Sequence, residues 1–212
     1  LCAANLPDIA GKAAVPSYDR SGLRAGIVHF GIGNFHRSHQ AVYLDALFEM
    51  GEGHDFAILG AGVMPSDQAM RDRLAGQDYL TTVVEQDNAS TSARVTGAMI
   101  DMLPVGDTPA IVEKLADPAI RIVSLTVTEG GYFIDPDGKF DPAHPAIVAD
   151  AQNPEAPTTV FGLICAGLRT RHARGVAPFT VMSCDNIPHN GKVCAAAVIG
   201  MASLVDGALA EW

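Results

Sequence analysis

Gly31-Ile32-Gly33 follows the apolar run Ile27–Phe30 and precedes a helical pattern, and no other stretch of the chain is so well suited to holding an anion. Gly31 permits a tight turn. Gly33 has no side chain to keep a diphosphate away from the backbone, and the N–H groups of the following helix point at that anion. The third glycine of the usual G-x-G-x-x-G is His36 here. That exchange predicts a wider entry to the helix and an imidazole free to face the phosphates. The turn by itself also fits a plain glycine bend in any α/β protein, with His36 an ordinary first-turn residue.

Asp67 follows the second apolar run and is placed to accept hydrogen bonds from the hydroxyls of an adenosine ribose. It lies later than the usual offset of about 20 residues, and supporting the first turn of a helix after Ser66 is an equal reading. Glu129 precedes Gly130 and Gly131, so its carboxylate stands at an open strand end and could relay a proton to solvent; a solvated turn carboxylate is the plainer account. Asn186 offers an amide donor to a carbonyl or alkoxide oxygen, or else caps a helix near Pro188. His36 and His39 could face a metal from one helix, but no third ligand accompanies them, so no metal site is expected.

Strands alternating with helices must position these groups. Strands are expected at Ile27–Phe30, Phe56–Gly62, Ile120–Val127 and Phe179–Ser183, with Ile120–Val127 apolar enough to be buried on both faces. Helices are expected from Arg37 to Met50, after a Ser66 cap, over Thr108–Leu115, over Thr158–Arg174 closing on Gly175, and from Asn190 towards Asp206. Tyr79–Glu85 and Ala93–Met99 read as a hairpin inserted in the wound sheet, and Asp135–Pro157 as a surface excursion with a short helix. The expected architecture is α/β, Rossmann-like and doubly wound around a mostly parallel sheet. In such a sheet ligands bind beyond the carboxyl ends of the strands, where these candidates gather.

The 212 residues carry a formal net charge of −10, with lysine and arginine scattered, which argues against nucleic acid and anionic membranes as partners. No apolar run reaches the roughly 18 residues of a membrane span. The four cysteines form no C-x-x-C, which suits a reducing cytoplasm. No signal peptide is visible, and both ends read as cuts in a longer polypeptide. Residues 1–24 read as an N-terminal arm and residues 25–212 as one domain.

Four stretches together resemble the mannitol dehydrogenase family, the polyol-specific long-chain dehydrogenases. They are Gly31-Ile-Gly-Asn-Phe-His-Arg37-Ser-His39-Gln40, Ala75-Gly-Gln-Asp-Tyr79, Ile122-Val-Ser-Leu-Thr-Val-Thr-Glu-Gly-Gly-Tyr132 and Val181-Met-Ser-Cys-Asp-Asn186-Ile-Pro-His-Asn-Gly191. The resemblance implies metal-independent hydride transfer between NAD(H) and a secondary alcohol or ketose, such as mannitol and fructose. Within it, Gly31, Gly33, Phe35, His36 and Arg37 match the cofactor-binding turn, and Asp67 the acidic residue associated with preference for NAD. Glu129 matches a glutamate at the proton channel, and Asn186 one of an oxyanion-stabilising asparagine pair.

The family's general base is a lysine in a Lys-x-x-x-x-Asn-x-x-His pattern of a helical C-terminal domain. Lys192, the last lysine here, does not match it. The resemblance therefore implies an NAD-binding domain whose catalytic partner domain is absent from these residues. Two alternatives stay open: a hexuronate (fructuronate or tagaturonate) reductase of the same family, and a non-catalytic NAD-binding module.

Overall fold

A computed structural model describes residues 1–135 and 137–212. In chain order its elements are α1 (Leu6–Ile9), β1 (Ala25–Phe30), α2 (Asn34–Ser38), α3 (Gln40–Glu49), β2 (Ala57–Ala61), α4 (Asp67–Ala75), β3 (Thr81–Gln86), β4 (Thr91–Thr96) and β5 (Met99–Met102). There follow α5 (Thr108–Ala116), β6 (Ile122–Leu125), a 3₁₀ turn (Glu129–Tyr132), α6 (Pro145–Gln152), α7 (Val160–Arg174), β7 (Thr180–Ser183), α8 (Asn190–Val205) and α9 (Gly207–Glu211).

Five strands make one sheet in the order β5-β2-β1-β6-β7, with every neighbouring pair parallel. Alternation along β1 feeds two cores. Ile27 packs with Phe48 of α3 and Leu74 of α4, while Val28 and Phe30 pack with Ile111 of α5 and Leu163 of α7. Helices therefore cover both faces, as the apolar runs of these strands require. From β1 the chain winds outward to β2 and β5, then returns to β6 beside β1 and winds the other way to β7. The crevice between the ends of β1 and β6 is thus the point where the strand order reverses, the place where such sheets bind ligands.

Several expectations need correction. The first helix starts at Asn34, not Arg37, and breaks at His39 (φ −125°, ψ −76°) before α3. Ser66 has helical backbone angles and its side chain caps nothing. β3 and β4 form a separate two-stranded antiparallel sheet, and Met99 opens β5, an edge strand of the main sheet that the hairpin reading absorbed. Gly97 separates the two: its N–H donates to the Asp45 carboxylate (2.9 Å), and Arg20 donates to its carbonyl (3.0 Å). Within 135–157, α6 is no mere surface excursion, because Ile147 and Asp150 are buried. The Asp150 carboxylate accepts from the amides of Thr158 (2.8 Å) and Thr159 (2.9 Å), fixing the start of α7.

Residues 1–24 lie against the rest of the chain. Ala14 bridges to Arg94, Tyr18 donates to the buried Asp45 (2.5 Å), and Leu23 joins the core under α3 and α4. At the other side of the molecule, the buried Arg171 donates to the carbonyls of Leu115 (2.8 Å), Ala177 (2.7 Å), Asp117 (2.5 Å) and Ile120 (2.5 Å). It ties the end of α7 to the entries of β6 and β7. α7 closes on Gly175 at φ +65°, as expected.

Candidate cofactor and active site

The turn after β1 needs its first glycine for two reasons. Gly31 sits at φ +95°, and an added Cβ would run into the carbonyl oxygen of Thr126 at the end of β6. Three groups hold the Gly31 carbonyl: the Gly33 N–H (2.7 Å), the Thr126 hydroxyl (2.6 Å) and His29 Nε2 (3.1 Å). With that carbonyl engaged inward, the first-turn N–H groups of α2, which lack intrahelical acceptors, are left for another partner. Gly33 is different: its backbone is extended (φ −91°, ψ −173°), it is exposed, and an added Cβ would find nothing nearer than the Gly31 oxygen at 3.9 Å.

In the sequence His29 is one residue of an apolar strand; in the fold it is fully buried and central to the turn. The Gly31 carbonyl can only accept, so His29 Nε2 carries the ring proton (3.1 Å); Nδ1 then accepts from the Ser124 hydroxyl (2.7 Å), which itself accepts from Gln40 Nε2 (3.0 Å). The neutral tautomer follows from this chain of donors. Burial, and then the neighbouring His36, push the His29 pKa well below its ordinary value.

His36 stacks on His29 with centroids 3.9 Å apart, and its Nδ1 bonds Gln40 Oε1 (3.0 Å). Its ring is only 1% exposed, so it is not free to face phosphates as expected; burial lowers its pKa to about 4. Nε2 of His36 has no partner among the described residues. Phe35 is half exposed and stacks on His39 at 4.3 Å, so His36 and His39 hold different partners. Arg37 folds back on the turn, donating to the Gly33 carbonyl (3.2 Å) and to Asn34 Oδ1 (2.5 Å).

Two adjoining hollows lie along this edge and share Thr126 and Thr128. The larger, about 600 Å³, is lined by Gly31, Gly62 and Asp67 among mainly apolar groups. Asp67 Oδ2 accepts from the Met64 N–H (3.0 Å), and Gly62 makes room for the carboxylate, since a Cβ there would meet it at 2.7 Å. The smaller, about 420 Å³, is lined by Gly33, Phe35, Glu129 and Asn186. Gly31 and Asp67 thus share one hollow, and Gly33, Phe35, Glu129 and Asn186 the other; His36 and Arg37 line neither.

A family model described as the mannitol dehydrogenase Rossmann domain matches residues 25–212. The chain belongs to that family. It is 62% identical over 198 residues to mannitol 2-dehydrogenase of Cereibacter sphaeroides, covering 93% of this chain and 42% of that protein. It is 43% identical to a polyol:NADP oxidoreductase of Gluconobacter oxydans, covering 98% of this chain and 43% of that one. Among solved structures, the Pseudomonas fluorescens mannitol 2-dehydrogenase ternary complex with NAD and D-mannitol superposes with a TM-score of 0.96 at 48% identity. That match covers all of this chain and 44% of that one. The chain spans about two-fifths of the length of the curated relatives it matches.

Beyond His29, sequence reasoning missed Asp185. It sits beside Asn186, and its carboxylate accepts from the amides of Val127 (3.0 Å) and Thr128 (3.0 Å) and from the Tyr132 hydroxyl (2.7 Å). Burial first, and also Asp185, push the Tyr132 phenol above its ordinary range, so it stays protonated and can donate. Asn186 is exposed and caps no helix; Asn190, which opens α8, bonds the carbonyls of Ser183 and Asp185 (3.2 Å each) instead. An acidic residue at the end of a short apolar run was the available signal for Asp185. Among the described residues no helix is long and apolar enough to cross a membrane.

Proposed function

We propose that this chain is the NAD-binding domain of a polyol 2-dehydrogenase, with residues 1–24 an arm laid upon it. The whole polypeptide would oxidise a mannitol-like polyol to a fructose-like ketose in the cytoplasm by metal-independent hydride transfer. One observation carries the reading: residues from the ends of β1, β6 and β7 line one hollow at the reversal of strand order, beside a glycine turn whose carbonyl is engaged inward. The turn fits a dinucleotide because the exposed Gly33 leaves its outer side open, whereas a Cβ would narrow it.

NAD, when bound, supplies the hydride acceptor. This chain's residues bind and orient. Backbone amides at the start of α2 hold the diphosphate, which Gly33 lets close to the backbone, and the Asp67 carboxylate accepts from ribose hydroxyls in the larger hollow. Phe35, His36 and Arg37 shape the turn, His36 from beneath. Asn186 donates its amide to the alcohol oxygen as negative charge grows there, and Glu129, exposed at the mouth, passes the released proton to solvent. The base that takes the hydroxyl proton belongs to the C-terminal domain of the same polypeptide.

Asn186→Ala in the full-length polypeptide tests this. Removing an oxyanion donor lowers kcat for mannitol oxidation about 100-fold, while NADH affinity, read by fluorescence titration, stays within about two-fold. Unchanged turnover would leave a cofactor-binding module as the better account. Turnover of a hexuronate in place of mannitol would move the substrate class to the reductases.

A further inference from the structure

We propose that Asp185 is the positioning residue of this site, holding Glu129 and Asn186 in their relative places by clamping the chain after β6 to the end of β7. The inference rests on the polyol dehydrogenase reading, because it names what sets the geometry of that reading's two catalytic candidates. Asp185 does not act on substrate; it acts through its neighbours.

The clamp is built from three donors on one carboxylate. Oδ2 takes the Val127 N–H and the Tyr132 hydroxyl, and Oδ1 takes the Thr128 N–H. Behind Tyr132, the Ser183 hydroxyl lies 2.6 Å from the phenol oxygen, which is already donating to Asp185, so Ser183 donates to it. The chain of bonds therefore leaves β7 at Ser183, crosses to Tyr132 in the 3₁₀ turn and returns to Asp185, two residues beyond β7. Glu129 follows Thr128 directly, and Asn186 follows Asp185 directly.

What the clamp opposes is visible at Thr128. This β-branched residue sits at φ +65°, ψ +167°, a region that glycine enters and other residues avoid. Such a conformation persists only where its surroundings over-determine it. Here the Asp185 carboxylate holds the Thr128 N–H on one side, and the Thr128 carbonyl accepts from the Gly131 N–H (3.0 Å) on the other. Without the carboxylate, Thr128 can relax towards an ordinary conformation, and that rotation carries Glu129 away from Asn186. Asp185→Asn has the size of the native residue, but its NH₂ must face one of the backbone donors, so at least one bond is lost.

The test uses the full-length polypeptide with Asp185→Asn, Thr128→Gly and the double variant. Asp185→Asn is expected to lower kcat for mannitol oxidation about 100-fold, the scale of a misplaced catalytic group, with NADH affinity changed about three-fold or less. Glycine accepts the φ of Thr128 without strain, so the double variant is expected to recover at least ten-fold of that loss. A residue giving only general support to the fold would not be rescued at position 128. Hydrogen exchange over residues 124–130, read by mass spectrometry, is expected to quicken in Asp185→Asn. Unchanged kcat in Asp185→Asn, or a double variant no faster than Asp185→Asn, overturns the proposal. If the unmodified polypeptide fails to oxidise polyols, the functional reading falls, and the exchange measurement then decides the clamp alone: unchanged exchange overturns it, faster exchange sustains it.

Discussion

Gly33→Ala separates folding from binding at the turn. The backbone there (φ −91°, ψ −173°) is one that alanine adopts freely, and the new methyl would meet only the Gly31 oxygen, at 3.9 Å. The fold therefore loses nothing, and restricting the unfolded chain stabilises it by about 0.4–1 kcal/mol. The cost falls on the ligand. A methyl standing where a diphosphate approaches the backbone removes at least one hydrogen bond to a charged oxygen, about 1.5–3 kcal/mol, which is a ten- to hundred-fold weaker NADH dissociation constant at about 1.4 kcal/mol per decade. Gly31→Ala behaves differently: at φ +95°, with its Cβ driven into the Thr126 carbonyl, it loses stability as well as affinity. Fluorescence titration of NADH beside thermal melts of both variants reads the contrast. Native affinity in Gly33→Ala would refute the reasoning, because it would mean the diphosphate does not lie against that residue.

Acid should destabilise the fold in a defined window. The folded-state pKa of His36 is about 4 against an ordinary 6.5, so between those values the unfolded chain binds a proton that the fold does not. The stability that neutral His36 contributes is complete above pH 6.5, falls as the pH drops through that value, and is spent near pH 4 after a loss of about 3 kcal/mol; His29 adds a further loss in the same direction. Urea midpoints at pH 7, 6 and 5 check this, and an equal slope in His36→Gln would contradict it. Arg171→Met removes the side-chain donor from four carbonyls, of which those of Leu115 and Ile120 are buried, and should cost about 2–6 kcal/mol in denaturant unfolding; a loss under about 1 kcal/mol would show that those carbonyls find other donors. Asp67→Ala removes the carboxylate proposed to repel a 2′-phosphate, so the preference for NADH over NADPH should shrink about ten-fold by titration; an unchanged ratio would assign Asp67 to the Met64 turn alone.

What the sequence made legible was local. Ile27–Phe30 followed by two glycines, the double-sided apolar run of β6, and Gly175 after α7 each announce themselves within a few residues. What it hid depends on distant partners. Within Ala93–Met99 the one local hint of a break is Gly97, and the groups that end β4 there, Asp45 and Arg20, lie 52 and 77 residues away. His29 looks like an odd residue in a strand until Ser124, 95 residues on, supplies its hydroxyl. Asp185 resembles any strand-end acid until the amides of Val127 and Thr128, 58 and 57 residues earlier, converge on it. The side of the helix that His36 faces is hidden for the same reason: stacking on His29 draws the ring inward.

The two hidden residues do complementary work on one sheet edge. His29 joins the turn after β1 to β6 through Gly31, Ser124 and Thr126, and Asp185 joins the segment after β6 to β7. Thr126 and Thr128 line both hollows, and each lies in or directly beside one of those junctions. A shift in either junction would therefore be felt in both hollows at once. This arrangement also fits the charge of the chain. A protein at −10 has little to gain from gathering scattered lysines and arginines around an anion, and backbone amides attract it without adding a side-chain charge. A carbonyl turned towards the same opening would repel that anion, and the buried, neutral His29 and the Thr126 hydroxyl keep the Gly31 carbonyl engaged inward.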